Sequence, residues 1–287
     1  MNEKRNLNRS VLQWYGWIGL VIIGISEVLL FAGVSFVRTF FTPLVWSGYI
    51  LLADSLVYRR KGRSMIMNRP GEFLLLLPIS IGFWLIFEFY NLYLQNWHYV
   101  GLPEEFPLRL LGYVWAFATI WPAILETAEV LGSWERISGK RAHPWRIKEG
   151  HLVASLIFGA FCLALPFLVS PPAARYLAAP VWLGFIFLLD PINYWIGRDS
   201  LLRDLEKGNP GRFYSLILSG LLCGALWEFW NYWAGAHWYY TIPILGHVRI
   251  FEMPVLGYLG FPPFAVECFA MYALVRKGVP PGSASYG

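Results

Sequence analysis

Residues 72–95 read EFLLLLPISIGFWLIFEFYNLYLQ, a stretch with two acidic side chains, Glu72 and Glu88, and no basic one. A helix of about 20 mostly apolar residues is long enough to cross the hydrocarbon core of a bilayer. The apolar strands of soluble α/β proteins are shorter, about 4–8 residues between polar turns. The stretch therefore predicts a transmembrane helix.

The same pattern recurs along the chain. The apolar runs lie at 12–37, 42–58, 72–95, 108–131, 151–170, 176–196, 213–234 and 254–275. Apolar residues make up 57% of the chain and charged residues 14%, against roughly 45–50% and ~25% in a soluble domain. The first run is too long for the apolar core of a signal peptide, and no small-residue cleavage site follows it. We therefore predict an all-α integral membrane protein of about eight transmembrane helices, the first of them retained.

The basic residues predict the orientation of these helices. The net charge of +5 is not gathered on one face, which argues against nucleic-acid binding. Nineteen of the 23 Lys and Arg residues lie in the two termini and in the loops after the second, fourth and sixth runs. The other connections carry one each, namely Arg38, Arg109, Arg175 and Arg249. The positive-inside rule then places both termini in the cytoplasm. Because no organellar transit pattern is present, we expect a prokaryotic inner membrane.

The second half of the chain restates the first. Trp46 precedes Asp54 by eight residues, and Trp182 precedes Asp190 by the same number. The later matches, in order, are Glu88 with Glu228, Asn91 with Asn231, Trp97 with Trp238, Tyr99 with Tyr240, Pro122 with Pro263 and Glu126 with Glu267. An even number of helices per copy predicts parallel repeats, related by a pseudo-two-fold axis along the membrane normal. We predict a first repeat at 1–145, which includes a basic tail and linker, a second repeat at 146–279 and a disordered cytoplasmic tail at 280–287. Two repeats could share one central site or form two equivalent ones.

Four glutamates are the candidate catalytic residues: Glu88, Glu228, Glu126 and Glu267. A charged side chain at the bilayer centre costs at least ~2.5–3.5 kcal/mol on insertion scales. These side chains must therefore face the helix bundle, where they would form a substrate, ion or proton site. The alternative is that they are hydrogen-bonding groups that hold helices together.

The residues around the first pair predict a binding surface. Asn91 and Asn231 follow their glutamates at i+3, on the same helical face. Beyond them, the aromatic residues Trp97, Tyr99, Trp238 and Tyr240 are of the types that favour the membrane interface. We predict that these six residues contact a substrate near the outer face.

The remaining aspartates, histidines and cysteines in or near the apolar runs are not predicted as site residues. Asp54 and Asp190, near the ends of their runs, are expected to form salt bridges with Arg59, Arg60 or Arg198. His98 and His237 do not occupy matching repeat positions, and the three cysteines have no metal-ligand spacing, so no metal site is predicted. The sequence identifies no cofactor.

Three functions remain open, and the sequence does not decide whether the chain is an enzyme. The first is a site that binds or modifies a lipid-soluble substrate, such as an isoprenoid, a quinone or a lipid-linked molecule, by acid–base chemistry. The second is a small-solute or proton-coupled transporter that uses Glu126 and Glu267. The third is a non-catalytic subunit of a larger membrane complex, with a membrane protein as its partner.

Overall fold

The computed structural model describes residues 11–276, so the predicted tail at 280–287 lies outside the described residues. Eight long helices follow one another in this part of the chain. They are α1 (Trp14–Phe31), α2 (Ser35–Lys61), α3 (Pro70–Leu94), α4 (Phe106–Gly132), α5 (Glu149–Leu168), α6 (Ala178–Trp195), α7 (Gly211–Trp233) and α8 (Phe261–Val275).

Seven helical segments in the described part of the chain are long and apolar enough to cross a membrane, which indicates a polytopic membrane protein. The last of them counts α8 together with the 3₁₀ turn before it, Val255–Gly260. Helix α6 is not among the seven. It has 18 residues but carries Asp190 and Asn193 in its last two turns. Length and composition thus give one span fewer than the eight predicted from the sequence.

Short elements occupy the connections between the long helices. Four are single helical turns or slightly longer, at Met65–Asn68, Glu135–Ser138, Pro171–Ala174 and Leu201–Glu206. The others are strands: β1 (Trp97–Val100), β2 (His237–Tyr240), β3 (Arg249–Ile250) and β4 (Met253–Pro254). From the sequence we predicted interfacial aromatic residues in the connections that contain β1 and β2, but no strands.

One side of the bundle gathers the connections that are rich in Lys and Arg, and we call it the basic side. The backbone N–H of Ala142, after α4, donates to the Gly208 carbonyl, before α7, at 3.1 Å. The Arg276 guanidinium, at the end of α8, contacts Glu72 at the start of α3 at 2.7 Å. The N–H of Gln13, at the start of α1, donates to Ser55 near the end of α2. Both ends of the described chain therefore lie on the basic side.

The opposite side, which we call the strand side, gathers the remaining connections. Strand β1 pairs antiparallel with β2. The backbone N–H of Gly235, before β2, donates to the Arg38 carbonyl of α2 at 2.8 Å. An Arg175 nitrogen, between α5 and α6, lies 3.5 Å from the carbonyl of Thr241, just after β2.

The same three helix pairs pack in each half of the chain. In the first half they are α1–α2, α2–α4 and α3–α4, and in the second α5–α6, α6–α8 and α7–α8. Glycines set the closest of these contacts. A Cβ atom at Gly19 of α1 would overlap the Gly48 carbonyl oxygen of α2, and a Cβ at Gly159 of α5 would overlap backbone atoms of α6. Small residues allow membrane helices to approach closely.

The predicted salt bridges of Asp54 and Asp190 are wrong, because both carboxylates bind the start of a short helix instead. Asp190 accepts from the N–H groups of Leu201 and Leu202 at 2.8 and 2.9 Å and from Ser200 at 3.1 Å. Asp54 accepts in the same way from Ser64, at 2.7 Å, and from the N–H of Ile66, at 2.8 Å; Tyr15 also donates to it, at 2.6 Å. The free N–H groups of a helix start favour a carboxylate. These contacts fix the short helices on the basic side.

Candidate functional site

The ribbon formed by β1 and β2 joins the two halves on the strand side. Its register pairs Trp97 with Tyr240 and Tyr99 with Trp238. In the sequence repeat, Trp97 corresponds to Trp238 and Tyr99 to Tyr240. The two Trp–Tyr pairs of the ribbon are therefore equivalent, as two-fold symmetry between the halves requires. Antiparallel pairing brings all four side chains to one part of the molecule.

Beneath the ribbon lies a cavity of about 500 Å³. This volume falls within the range of roughly 300–1,000 Å³ that is common for small-molecule sites. Side chains from both halves line it, and 14 of the 39 lining residues are Phe, Trp or Tyr. Among them are the residues at matched sequence positions Trp46 and Trp182, Trp97 and Trp238, and Tyr99 and Tyr240. The aromatic side chains of the predicted binding surface are therefore brought together around one space.

Glu88 lies behind the wall that the first half contributes to this cavity. One carboxylate oxygen accepts three hydrogen bonds, from the indole of Trp84 at 2.8 Å, the indole of Trp97 at 3.1 Å and the hydroxyl of Tyr99 at 2.5 Å. The three donors line the cavity, whereas Glu88 does not. Burial, followed by the negative charge of Glu88, raises the pKa of Tyr99 well above its usual value. Tyr99 is therefore a neutral phenol that donates to a carboxylate.

Glu228 takes the matching position in the second half with fewer donors. Its Oε1 accepts from the Tyr240 hydroxyl at 2.7 Å, and that hydroxyl accepts from the Trp238 indole at 2.8 Å. The other carboxylate oxygen is buried and receives no hydrogen bond from a described residue. Burial, followed by the negative charge of Glu228, raises the pKa of Tyr240 well above its usual value. Both halves thus present a phenol to the cavity with a carboxylate behind it.

The structure places Asn91 and Asn231 away from the cavity, against the backbone of the strands. The Asn91 amide donates to the Trp97 carbonyl at 2.8 Å and accepts from the Trp97 N–H at 3.3 Å. Asn231 donates to the Trp238 carbonyl at 2.7 Å and accepts from the Trp238 N–H at 2.9 Å. Each amide is therefore engaged in anchoring its strand to the preceding helix, and each glutamate and its asparagine act on the same connection.

Glu126 and Glu267 are fully buried in the bundle and also lie outside the cavity wall. Glu126 is beside Asp54, and neither of its oxygens receives a hydrogen bond from a described residue. One oxygen of Glu267 accepts from the backbone N–H of Phe185 at 3.2 Å, and the other has no donor among the described residues. The two matched glutamates therefore differ in their surroundings, and neither adjoins Glu88 or Glu228 through a hydrogen bond in the described chain.

Several residues of the cavity were not predicted as site residues. Trp46, Trp182 and Tyr113 line it and belong to matched segments of the two halves, which was the signal that could have found them. Arg109 and Arg175 also line it. Each is the single basic residue of its connection, but so are Arg38 and Arg249, which do not line the cavity, so the sequence carried no signal that separates them.

Within residues 11–276 no group of three or more His, Cys, Asp and Glu side chains could hold a metal ion. What the cavity offers chemically is an aromatic enclosure, two phenol–carboxylate pairs and two guanidinium groups. A scan against protein-family models and searches of curated proteins and of solved structures found no match for this chain.

Proposed function

We propose that the cavity binds a lipid-soluble molecule and that Tyr99 and Tyr240 hydrogen-bond to it. The observation that carries this proposal is that each phenol faces an aromatic cavity while its hydroxyl contacts a carboxylate, Glu88 or Glu228. An apolar enclosure with a few fixed polar groups is typical of small-molecule sites. Isoprenoids, quinones and lipid-linked molecules fit this description because they partition into the bilayer around such a site.

The phenol–carboxylate pairs also suit acid–base chemistry on the bound molecule. A carboxylate behind a phenol can accept the phenolic proton while the phenol oxygen takes a proton from the bound molecule, so each pair can act as a base on a substrate. In this arrangement the tyrosines touch the substrate, and the glutamates act through them. We assign Asn91 and Asn231 a positioning role, because their amides hold the strands that carry the tyrosines.

Mass spectrometry of the protein extracted in native lipid nanodiscs tests the proposal. We expect a lipid-soluble molecule at near one per chain, and we expect the double variant Tyr99→Phe/Tyr240→Phe to lose it. A Glu88→Gln/Glu228→Gln variant should weaken retention without filling the cavity. The matched control is Tyr93→Phe/Tyr239→Phe, since neither of these tyrosines lines the cavity. Equal retention in the test and control variants would contradict the role of Tyr99 and Tyr240.

A second candidate function is transport, and the ion pairs on the basic side favour it. Arg276 contacts Glu72 at 2.7 Å and Asp199 at 3.5 Å, and Arg212 contacts the same Asp199 at 3.5 Å. These pairs connect both halves on the side away from the cavity, as the closed gate of a carrier would. If the chain is a carrier, reconstituted vesicles should show solute or proton flux that Glu126→Gln and Glu267→Gln abolish. Purified protein without any bound molecule and with such flux would favour this candidate, whereas a co-purifying polypeptide would favour an assembly subunit.

We further propose that the chain is a pair of parallel repeats, at 1–145 and 146–279, with the basic side in the cytoplasm of a prokaryotic cell. Supporting observations are the helix pairs common to both halves, the symmetric ribbon and the corresponding contacts of Asp54 and Asp190. The orientation can be tested with a variant in which Cys162, Cys223 and Cys268 are replaced. A single cysteine is then introduced at Gly139 or at Pro103, and labelling is measured in intact cells. An impermeant thiol reagent should label only the cysteine at position 103.

A further inference from the structure

Two arginines contribute guanidinium groups to the wall of a mainly apolar cavity. Arg109 lies in the first turn of α4, and Arg175 follows the short helix Pro171–Ala174. One therefore comes from each half of the chain, and both enter from the strand side. In the described part of the chain neither forms an ion pair with a carboxylate.

Arg175 is half-buried, and its guanidinium has few hydrogen-bond partners in the described part of the chain. Its Nε atom is buried and has no acceptor among the described residues. Within the described chain its side chain forms one hydrogen bond, a long one from Nη2 to the Thr241 carbonyl at 3.5 Å. Burying a charged donor without an acceptor is costly, because the group loses its water and gains nothing in exchange. An acceptor supplied by a ligand would remove this cost.

A third arginine on the strand side, Arg249, has the hydrogen-bond acceptors that Arg175 lacks. Arg249 does not line the cavity, pairs with Glu252 at 3.8 Å and donates to the backbone carbonyls of Gly246 and Tyr240. An arginine on the strand side can therefore find acceptors within the protein. Arg38 also has no carboxylate partner in the described chain, but it is exposed and does not line the cavity. Arg109 and Arg175 differ from it because they face the cavity.

From these observations we propose that the cavity takes an amphipathic anion, whose apolar chain packs against the tryptophans and whose phosphate or carboxylate head binds Arg175 and Arg109. Arginine presents its N–H groups in a planar fork that matches the two oxygens of such a head. The apolar part is assigned to the aromatic wall around Trp46, Trp182 and Phe264. This inference rests on the proposed function, because it requires the cavity to be a ligand site.

The test compares ligands that differ only in the head. Full-length protein in phosphatidylcholine nanodiscs is titrated with farnesyl phosphate, with farnesol and with inorganic phosphate, and binding is followed by tryptophan fluorescence. We expect farnesyl phosphate to bind at least tenfold more tightly than farnesol. Arg175→Gln should remove that difference, Arg109→Gln should reduce it, and Arg175→Lys should retain part of it. Unchanged farnesol affinity in these variants shows that the cavity is still folded.

Arg249→Gln is the matched control and should leave both affinities unchanged. Equal binding of farnesol and farnesyl phosphate by the unaltered protein would overturn the anionic head while leaving the lipid-binding function in place. Binding of neither would overturn both. Binding of inorganic phosphate as tightly as farnesyl phosphate would show a free anion site without an apolar chain, and would also overturn the proposal.

Discussion

Replacing Asp190 tests whether this carboxylate fixes a short helix on the basic side or pairs with an arginine. The side chain is 3% exposed and accepts three hydrogen bonds, two of them from the backbone at the start of the helix Leu201–Glu206. A hydrogen bond to a charged group contributes about 1.5–3 kcal/mol, and the contributions of neighbouring bonds are not additive. We therefore expect Asp190→Ala to lower the free energy of unfolding by about 3–5 kcal/mol, since it leaves buried donors without an acceptor.

Asp190→Asn should cost less, about 1–2 kcal/mol, because the amide oxygen still accepts one of these bonds while the charge is lost. The matched variant in the first half is Asp54→Ala, which removes the acceptor of Ser64 and of the Ile66 N–H and should cost about as much as Asp190→Ala. Glu149→Ala, at an exposed position, should change stability by less than about 0.5 kcal/mol and serves as the control.

Unfolding free energies can be measured in mixed micelles by titration with sodium dodecyl sulfate, followed by tryptophan fluorescence. The measurement is repeated at about 0.1 and 1 M salt, where the screening length falls from about 10 to 3 Å. A buried contact to backbone N–H groups should be almost independent of salt. The reasoning would be refuted if Asp190→Ala cost less than about 1 kcal/mol, or if its cost fell by half at high salt, as expected for an exposed ion pair.

Two other predictions concern helix packing and pH. Gly19→Leu should lower the free energy of unfolding by at least about 1–3 kcal/mol, because a side chain there would meet the Gly48 backbone. Gly24→Leu, on the same helix, is the control and should be nearly neutral, because a Cβ atom there meets nothing within 4 Å. Equal melting temperatures for the two variants would contradict the close contact at Gly19. Burial raises the pKa of Asp204 from 3.8 to about 6, an effect that Arg212 at 3.0 Å partly offsets. Because the folded-state pKa lies above the unfolded one, the stabilising contribution of protonated Asp204 is full below pH ~4 and is lost as the pH rises through about 6. Asp204→Asn should therefore flatten the fall in stability between pH 4 and 7, and a slope unchanged from the unaltered protein would show that Asp204 does not titrate in this range.

The membrane class of this protein could be predicted from the sequence because hydropathy is a local property. A run such as 72–95 has to lie in an apolar environment wherever the rest of the chain goes. Most helix bounds agree with these runs within about three residues, but α1 ends at Phe31 and not at 37, α2 begins at Ser35 and not at 42, and α8 begins at Phe261 and not at 254. Helix α6 marks the limit of this reasoning, because Asp190 and Asn193 at its end lower its apolar character while their partners lie elsewhere in the fold.

The candidate site could be predicted only in part. The spacing of Glu88, Trp97 and Tyr99 within one helix end and the following connection indicated that they act together, and the three are in contact. The roles inside that group could not be predicted. From the sequence we predicted that the glutamates are catalytic residues and that the asparagines contact a substrate together with the aromatic residues. In the structure only the aromatic ones reach the cavity.

What the sequence alone determined is therefore the set of apolar helices and the residue types at the ends of each, since these depend on neighbours within a few turns. The tertiary structure alone decided that Tyr99 pairs with Trp238, that one cavity lies beneath the two strands and that Arg109 and Arg175 face it. Those contacts join segments far apart in the chain. They depend on how eight helices pack. Packing is decided by the complementary surfaces of whole helices, so the sequence of a single segment does not specify its partners.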